Sequence, residues 1–228
     1  MKDIRKSVYE ANIFLWKNNL VYGTQGNVSG IDEERKIIYI KPSGVPYEKL
    51  TESQIVGVDI NGKVIEGNLK PSVDTPHHLY IYKNIKEAKS VCHTHSKFIT
   101  IFSVLGIPIP VLTTGHADVF GKDIPVSKYV DNTLDNIGKE IIRVYEKTGC
   151  PSIILRNHGL FCFAESPEKV VFYALMSEYF AEIFYYILTA GKMMNKKIKK
   201  LPEKEIKKWF ERYHSERYGQ KKEVEIWK

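Results

Sequence analysis

Residues 54–67 read QIVGVDINGKVIEG, two short β-prone runs joined through Asn61-Gly62. An Asn-Gly pair in that position is a strong hairpin signal, because both residues tolerate the positive φ of a tight turn. The segment predicts neighbouring antiparallel strands. Residues 152–164, SIILRNHGLFCFA, repeat the pattern, with strands at 152–155 and 160–164 either side of RNHG. KIIYI at 36–40 and KSVCHT at 89–94 read as further strands.

Helical spacing separates these runs. Ile4, Val8, Ala11, Ile13, Leu15 and Trp16 predict a helix over 3–19. Asp74 and Thr75, with Pro76 in the first turn, predict one over 75–84. Others follow through 98–105, 131–147 and 166–191. The last is apolar around so much of its circumference that it predicts packing on two sides, one a candidate subunit contact. Hairpins outnumber regular βαβ alternation, so the expectation is an α/β fold on a mainly antiparallel sheet. It is expected to be one domain over 1–228, with 192–228 a basic helical tail and extended end.

Composition narrows the function classes. Lys+Arg number 34 against 27 Asp+Glu, a net charge of +7 over 228 residues. A chain of that length buries about 70% of its unfolded surface, so it needs no disulfide or metal merely to fold. Much of the positive excess lies beyond residue 190, where Lys196, Lys197, Lys204, Lys207 and Lys208 alternate with Glu203, Glu205 and Glu211. Mixed signs suit a solvated helix face better than a nucleic-acid footprint, and no zinc-finger, RNP-type or homeodomain pattern accompanies them. Cys92, Cys150 and Cys162 form no CxxC pair, which fits a reducing compartment. The N-terminus has no signal-like apolar stretch and no run of about 18 apolar residues is evident, so a cytoplasmic protein without a membrane span is expected.

The sharpest chemical signal is His93-Thr94-His95. On a strand, residues i and i+2 share a face, so both imidazoles can converge on one ion. Zinc favours imidazole nitrogen, and a catalytic site uses three protein ligands with one position open. His158, between two predicted strands, is the natural third; Mn²⁺ and Co²⁺ also suit such a site. The competing reading is that these are ordinary surface or core histidines. His77 and His78 are expected on a helix surface, and His116, in a loop beside Asp118, is a further candidate to approach the metal. His214 has no place by pattern.

Two loops, GTQGNVSG at 23–30 and KPSG at 41–44, carry small residues and the second begins with Lys41. Such loops bind phosphate through amide dipoles, although an ordinary turn explains the same residues. Ser72, Asp74 and Thr75 follow in KPSVDTP; Asp74 is open to a plain N-cap reading, and Asp118 to a turn reading.

Taken in order, TQGNVSG, KPSGVPYEKLTES, PSVDTPHHLYIY, HTHS, TTGHADVFG, RNHG and RYGQ resemble the class II, zinc-dependent sugar-phosphate aldolases and their epimerase relatives. The resemblance spans essentially the whole chain. It implies a three-layer α/β/α fold, a sugar-phosphate substrate, one Zn²⁺ per subunit, and a four-fold symmetric homotetramer with active sites between subunits. Carried over residue by residue, it implies His93, His95 and His158 as zinc ligands, with Asp74 a fourth ligand or an acid/base. It implies Gly26, Asn27, Ser43, Gly44 and Ser72 as the phosphate pocket, with Lys41 adjacent. Asp118 and Tyr218 are implied as acid/base groups entering from a neighbouring subunit. Aspartates at both 74 and 118 resemble the epimerase branch, whereas the aldolase branch has a glutamate at the first. Val73 stands where the family commonly has a second hydroxyl, Gly115 where a relative has threonine, and YHSERYGQ replaces a glycine-containing tail. The adducin-type branch, an interaction module, typically lacks the zinc histidines.

Overall fold

Asn61 and Gly62 turn the chain as expected, Gly62 at φ +88°, and join β3 (Val56–Val58) to β4 (Val64–Glu66). Asp59 fastens the turn: its Oδ1 accepts from the main-chain N–H of Asn61 and of Lys63, both at 2.9 Å. The RNHG segment likewise joins β6 (Ser152–Ile154) to β7 (Leu160–Ala164). With β1 (Asn27–Ile31), β2 (Ile38–Ile40) and β5 (Ser90–Thr94), these strands form one sheet in the order β4-β3-β2-β1-β5-β7-β6. Every neighbouring pair is antiparallel. The computed structural model describes residues 3–215, so the expected extended end from 216 and Tyr218 lie outside the described residues.

Helices cover both faces, giving the three-layer α/β/α arrangement. On one side α1 (Ile4–Lys17), α3 (Lys97–Leu105) and α6 (Pro167–Met193) bring Val8, Leu15, Ile99, Phe102, Ala174 and Phe180 against Val28, Cys92, Leu160 and Cys162. On the other, α2 (Thr75–Asn84) and α5 (Asn136–Thr148) bring Leu79, Ile81, Ile137 and Ile141 against Ile38, Val58, Val91 and Phe161. Full burial of one such aliphatic side chain contributes roughly 1.5–3 kcal/mol, so the two clusters are the main source of stability.

Three expectations need correction. The NVSGI segment is not loop but the central strand β1, and all five residues are buried. Its polar residues are satisfied by neighbours: Asn12 of α1 exchanges two hydrogen bonds with the Val28 main chain, at 2.9 and 3.1 Å. Gly30 is required because α1 crosses so closely that a Cβ there would meet Ile4 at 2.7 Å and Val8 at 2.8 Å. The stretch around His116 contains α4 (Thr114–Phe120), capped by the Thr113 hydroxyl and closed by Gly121 at φ +58°. α5 starts at Asn136 rather than 131, because Asp131 Oδ1 takes the Thr133 N–H and a turn precedes the helix.

Among the described residues α6 is the one helix long and apolar enough to cross a membrane by length and composition. One side of it packs into the core. Val170, Val171, Ala174, Phe180 and Phe184 are buried, and its Glu178 carboxylate caps α3 through the N–H groups of Phe98 and Ile99. The opposite side leaves Tyr179, Tyr185 and Tyr186 exposed. Last, α7 (Glu203–Tyr213) is basic but not wholly solvated: Ile206 is buried and Phe210 lies against Gly121.

Candidate metal centre and anion cleft

β5 ends where the sheet face turns polar. His93 and His95 project to the same side, as alternation requires, with ring centroids 4.5 Å apart. The register that pairs His93 with Phe161 and Thr94 with Leu160 brings the RNHG turn alongside. His158 then lies 4.9 Å, ring to ring, from each of the other two. One nitrogen from each ring comes within 4.8 Å of the others. Two local features make this approach possible. Asn157 takes the left-handed conformation at φ +55°. At Gly159 a Cβ would be 2.3 Å from the Thr94 carbonyl oxygen, so only glycine fits.

The chemistry of this donor set suits a zinc-type cation. His93 Nδ1 donates to the Leu160 carbonyl at 2.8 Å, since a carbonyl can only accept, which leaves Nε2 with a free lone pair. Its ring stacks on Phe161 at 4.3 Å. Burial lowers the pKa of all three histidines, and the charge His158 would carry lowers those of His93 and His95 further. For His95 the value falls to about 4. The rings are therefore neutral near pH 7, the form that ligates a metal.

Asp74 sits at the N-cap position of α2, yet its side chain caps nothing. Instead Oδ2 accepts from Asn27 Nδ2 at 2.7 Å and faces Ser72 Oγ at 3.4 Å. Its negative charge raises the pKa of His95 and His158 against their burial, which places the carboxylate on the histidines' side of the cleft. The N-cap reading of Asp74 is set aside by this rotamer.

A cleft of about 310 Å³ brings these groups together. Gly26, Asn27, Lys41, Ser43, Gly44, Ser72 and Asp74 line it with all three histidines. Thr24, Gln25 and Asn132 also line it and are not singled out by the sequence; Asn132 lies in the turn before α5, where the spacing predicts helix. Gly26, at φ +74°, has no room for a side chain: a Cβ would meet Val21 at 2.5 Å and the His93 carbonyl at 2.8 Å. Gly44, at φ +70°, faces open space. Lys41 is buried, and its Nζ donates to the Val45 carbonyl at 2.7 Å, while burial lowers its pKa to about 8.

Other expected residues fall elsewhere. His77 and His78 are not on a helix surface but buried under the sheet. His78 shares a hydrogen bond of 2.7 Å with Ser29, which is 2.7 Å from Tyr82 Oη, and burial takes its pKa to about 3. His116 is buried on α4, stacked on Phe180 at 4.6 Å, and does not join the histidine cluster. Asp118 is on the outer side of the same helix rather than in a loop, and does not line the cleft of its own chain. Partial desolvation raises its pKa, opposed by the charges of Arg212 on α7 and of His214 just beyond it. His214 itself closes α7, Nδ1 at 2.9 Å from the Phe210 carbonyl.

The likeness of the chain to known proteins concerns its family and its fold. Residues 6–185 match the family described as class II aldolase and adducin N-terminal domain. Among solved structures, an L-fuculose 1-phosphate aldolase is 27% identical with a TM-score of 0.82, covering 93% of this chain and 97% of that one. The L-fuculose 1-phosphate aldolase from Glaciozyma antarctica is 22% identical (TM-score 0.77), covering 91% of this chain and 80% of that one. The L-fuculose-1-phosphate aldolase from Thermus thermophilus is 21% identical (TM-score 0.66), covering 79% of this chain and 93% of that one. At those last two identities the likeness concerns the fold.

Proposed function

The chain belongs to the class II aldolase and adducin N-terminal domain family, and we propose that it is a metal-dependent enzyme that epimerises L-ribulose 5-phosphate at C4, giving D-xylulose 5-phosphate. The carrying observation is the aspartate at position 74, held in the cleft by Asn27 beside three neutral histidines. A cation on His93, His95 and His158, most simply Zn²⁺, supplies Lewis-acid polarisation of a substrate carbonyl oxygen. Intact ligands set the chain apart from an adducin-type interaction module.

The protein's own groups do the rest. The loops around Gly26, Ser43 and Gly44, with Ser72 and Asn27, hold the phosphate, so the phosphorylated fragment stays bound after the carbon skeleton opens. A base removes the C4 hydroxyl proton, the C3–C4 bond breaks, and its electron pair enters the enediolate of dihydroxyacetone. Bound glycolaldehyde phosphate turns its carbonyl over. Attack of the enediolate re-forms the C3–C4 bond with C4 inverted, and an acid returns the proton. Two acid/base groups on opposite faces are needed, and Asp118 and Tyr218 are assigned to this exchange. Because Asp118 does not line its own cleft, it serves a neighbouring copy within a homo-oligomer, in keeping with a four-fold tetramer. The exposed Tyr179, Tyr185 and Tyr186 of α6 suit such a contact.

A second reading has its own support. The 27% identical relative is an L-fuculose 1-phosphate aldolase, so net aldol cleavage of a ketose phosphate is the alternative. Parallel incubation of the zinc-loaded protein with L-ribulose 5-phosphate and L-fuculose 1-phosphate separates the two. Faster conversion of the first, without net cleavage, supports epimerisation; cleavage of the second with the first untouched replaces it by the aldolase.

A further inference from the structure

Two buried side chains hold the anion loops from behind. Tyr47, 1% exposed, points its hydroxyl at the backs of both carbonyls preceding β1: Gly26 O at 2.8 Å and Gln25 O at 3.3 Å. Lys41 Nζ sits 4.6 Å from the centre of the Tyr47 ring. From there it reaches the carbonyls of Val45 at 2.7 Å, Thr24 at 3.4 Å and Pro42 at 3.5 Å. Five carbonyls from two separate loops are thus drawn inward to one buried pair.

A carbonyl and the N–H of the next residue belong to one planar peptide and point in opposite directions. Holding Gln25 O inward therefore directs the Gly26 N–H outward, toward the cleft that Gly26 lines. Neither the Gly26 nor the Gly44 N–H has a partner among the described residues, so both are available to a ligand. Outward main-chain N–H dipoles contribute fixed positive partial charge to the cleft. The Lys41 ammonium, with its donors committed to carbonyls, adds positive charge beneath it rather than a direct contact.

We propose that Tyr47 is a positioning residue for phosphate: its hydroxyl sets the Gln25–Gly26 peptide so that the Gly26 N–H faces the anion, with Lys41 as the buried brace it stacks on. This rests on the proposal that the cleft takes a phosphorylated ligand. Tyr47 does not line the cleft, which separates its role from that of Gly26, Asn27 or Ser72.

The test is Tyr47→Phe, which keeps the ring over Lys41 and removes only the hydroxyl. Inorganic phosphate affinity is measured by NMR titration on the zinc-loaded full chain, with zinc affinity measured alongside. Wild type binding phosphate, and Tyr47→Phe binding it about tenfold more weakly with zinc affinity unchanged, is the expected result. Equal phosphate affinity in the two proteins overturns the proposal while leaving the function intact. No phosphate binding by wild type overturns the underlying reading of the cleft instead. Should the variant fail to fold, the wild-type amide spectrum decides: the Gly26 signal must shift as phosphate is added, and a stationary signal overturns the proposal.

Discussion

Gly159 gives the histidine cluster its most exacting test. Its backbone is in a region open to any L residue, so the cost of Gly159→Ala is purely steric. The new Cβ would begin 2.3 Å from the Thr94 carbonyl oxygen and 3.4 Å from His95 Nδ1. A carbon–oxygen contact is comfortable at about 3.3 Å, so roughly 1 Å must open between β5 and the RNHG turn. Metal–ligand distances tolerate about 0.2 Å, a fifth of that displacement. The cluster cannot absorb it without losing alignment of His158 or of His95. Overpacking of this kind costs about 1–3 kcal/mol of stability, which leaves most of the population folded at room temperature. Zinc affinity falls further, by about 100-fold, at the upper end of what misplaced supporting groups cost. Competition against a fluorescent chelator gives the affinity, and circular dichroism establishes that the variant is folded. A folded Gly159→Ala protein that binds zinc within threefold of wild type would refute the reasoning, because the 2.3 Å contact would then not be limiting the site.

Three further outcomes follow from the same structure. Metal-free protein loses stability in acid, because His78, His95 and His116 have pKa values of about 3, about 4 and about 4 when folded, against 6.5 unfolded. Between those limits the unfolded chain binds more protons, so each histidine removes about 1.4 kcal/mol per pH unit as pH falls through the window; an unchanged urea midpoint from pH 7.5 to 5 contradicts this. Asp118→Asn lowers kcat about 100-fold or more with zinc affinity retained, as removal of a general acid/base does, and full turnover would take Asp118 out of the mechanism. Gly121→Ala puts a Cβ 2.6 Å from the Phe210 ring at a φ of +58° and so loosens α7 from α4; earlier proteolysis within α7 with zinc affinity unchanged is expected, and wild-type protease resistance would count against it.

The readable and unreadable parts of the sequence differ for physical reasons. Hairpins were legible because Asn61-Gly62 and the RNHG turn carry their own backbone requirements. The histidine pair was legible because strand alternation fixes the faces of positions 93 and 95, whatever surrounds them. β1 was not, because NVSGI has neither alternation nor β-branched density. Its stability comes from distant partners: Asn12 on the Val28 main chain, and His78 and Tyr82 around Ser29. α4 escaped notice because Gly115 and the flanking prolines weaken its local propensity, while its hold comes from α7 and Phe180. His77 and His78 looked like surface residues since both precede an amphipathic run, yet α2 buries that face on Phe161. The brace of Lys41 and Tyr47 depends on a loop approaching from 22 residues away, which no local pattern records.

The central claim is that three histidines and a phosphate cleft make one chemical site. Its most direct test is conversion of L-ribulose 5-phosphate by one preparation of protein, as purified, after metal removal, and after zinc is restored. Formation of D-xylulose 5-phosphate that is lost with the metal and regained with zinc is the predicted result. Conversion that persists undiminished in fully metal-free protein, or none at all in protein holding one zinc per chain, would contradict it.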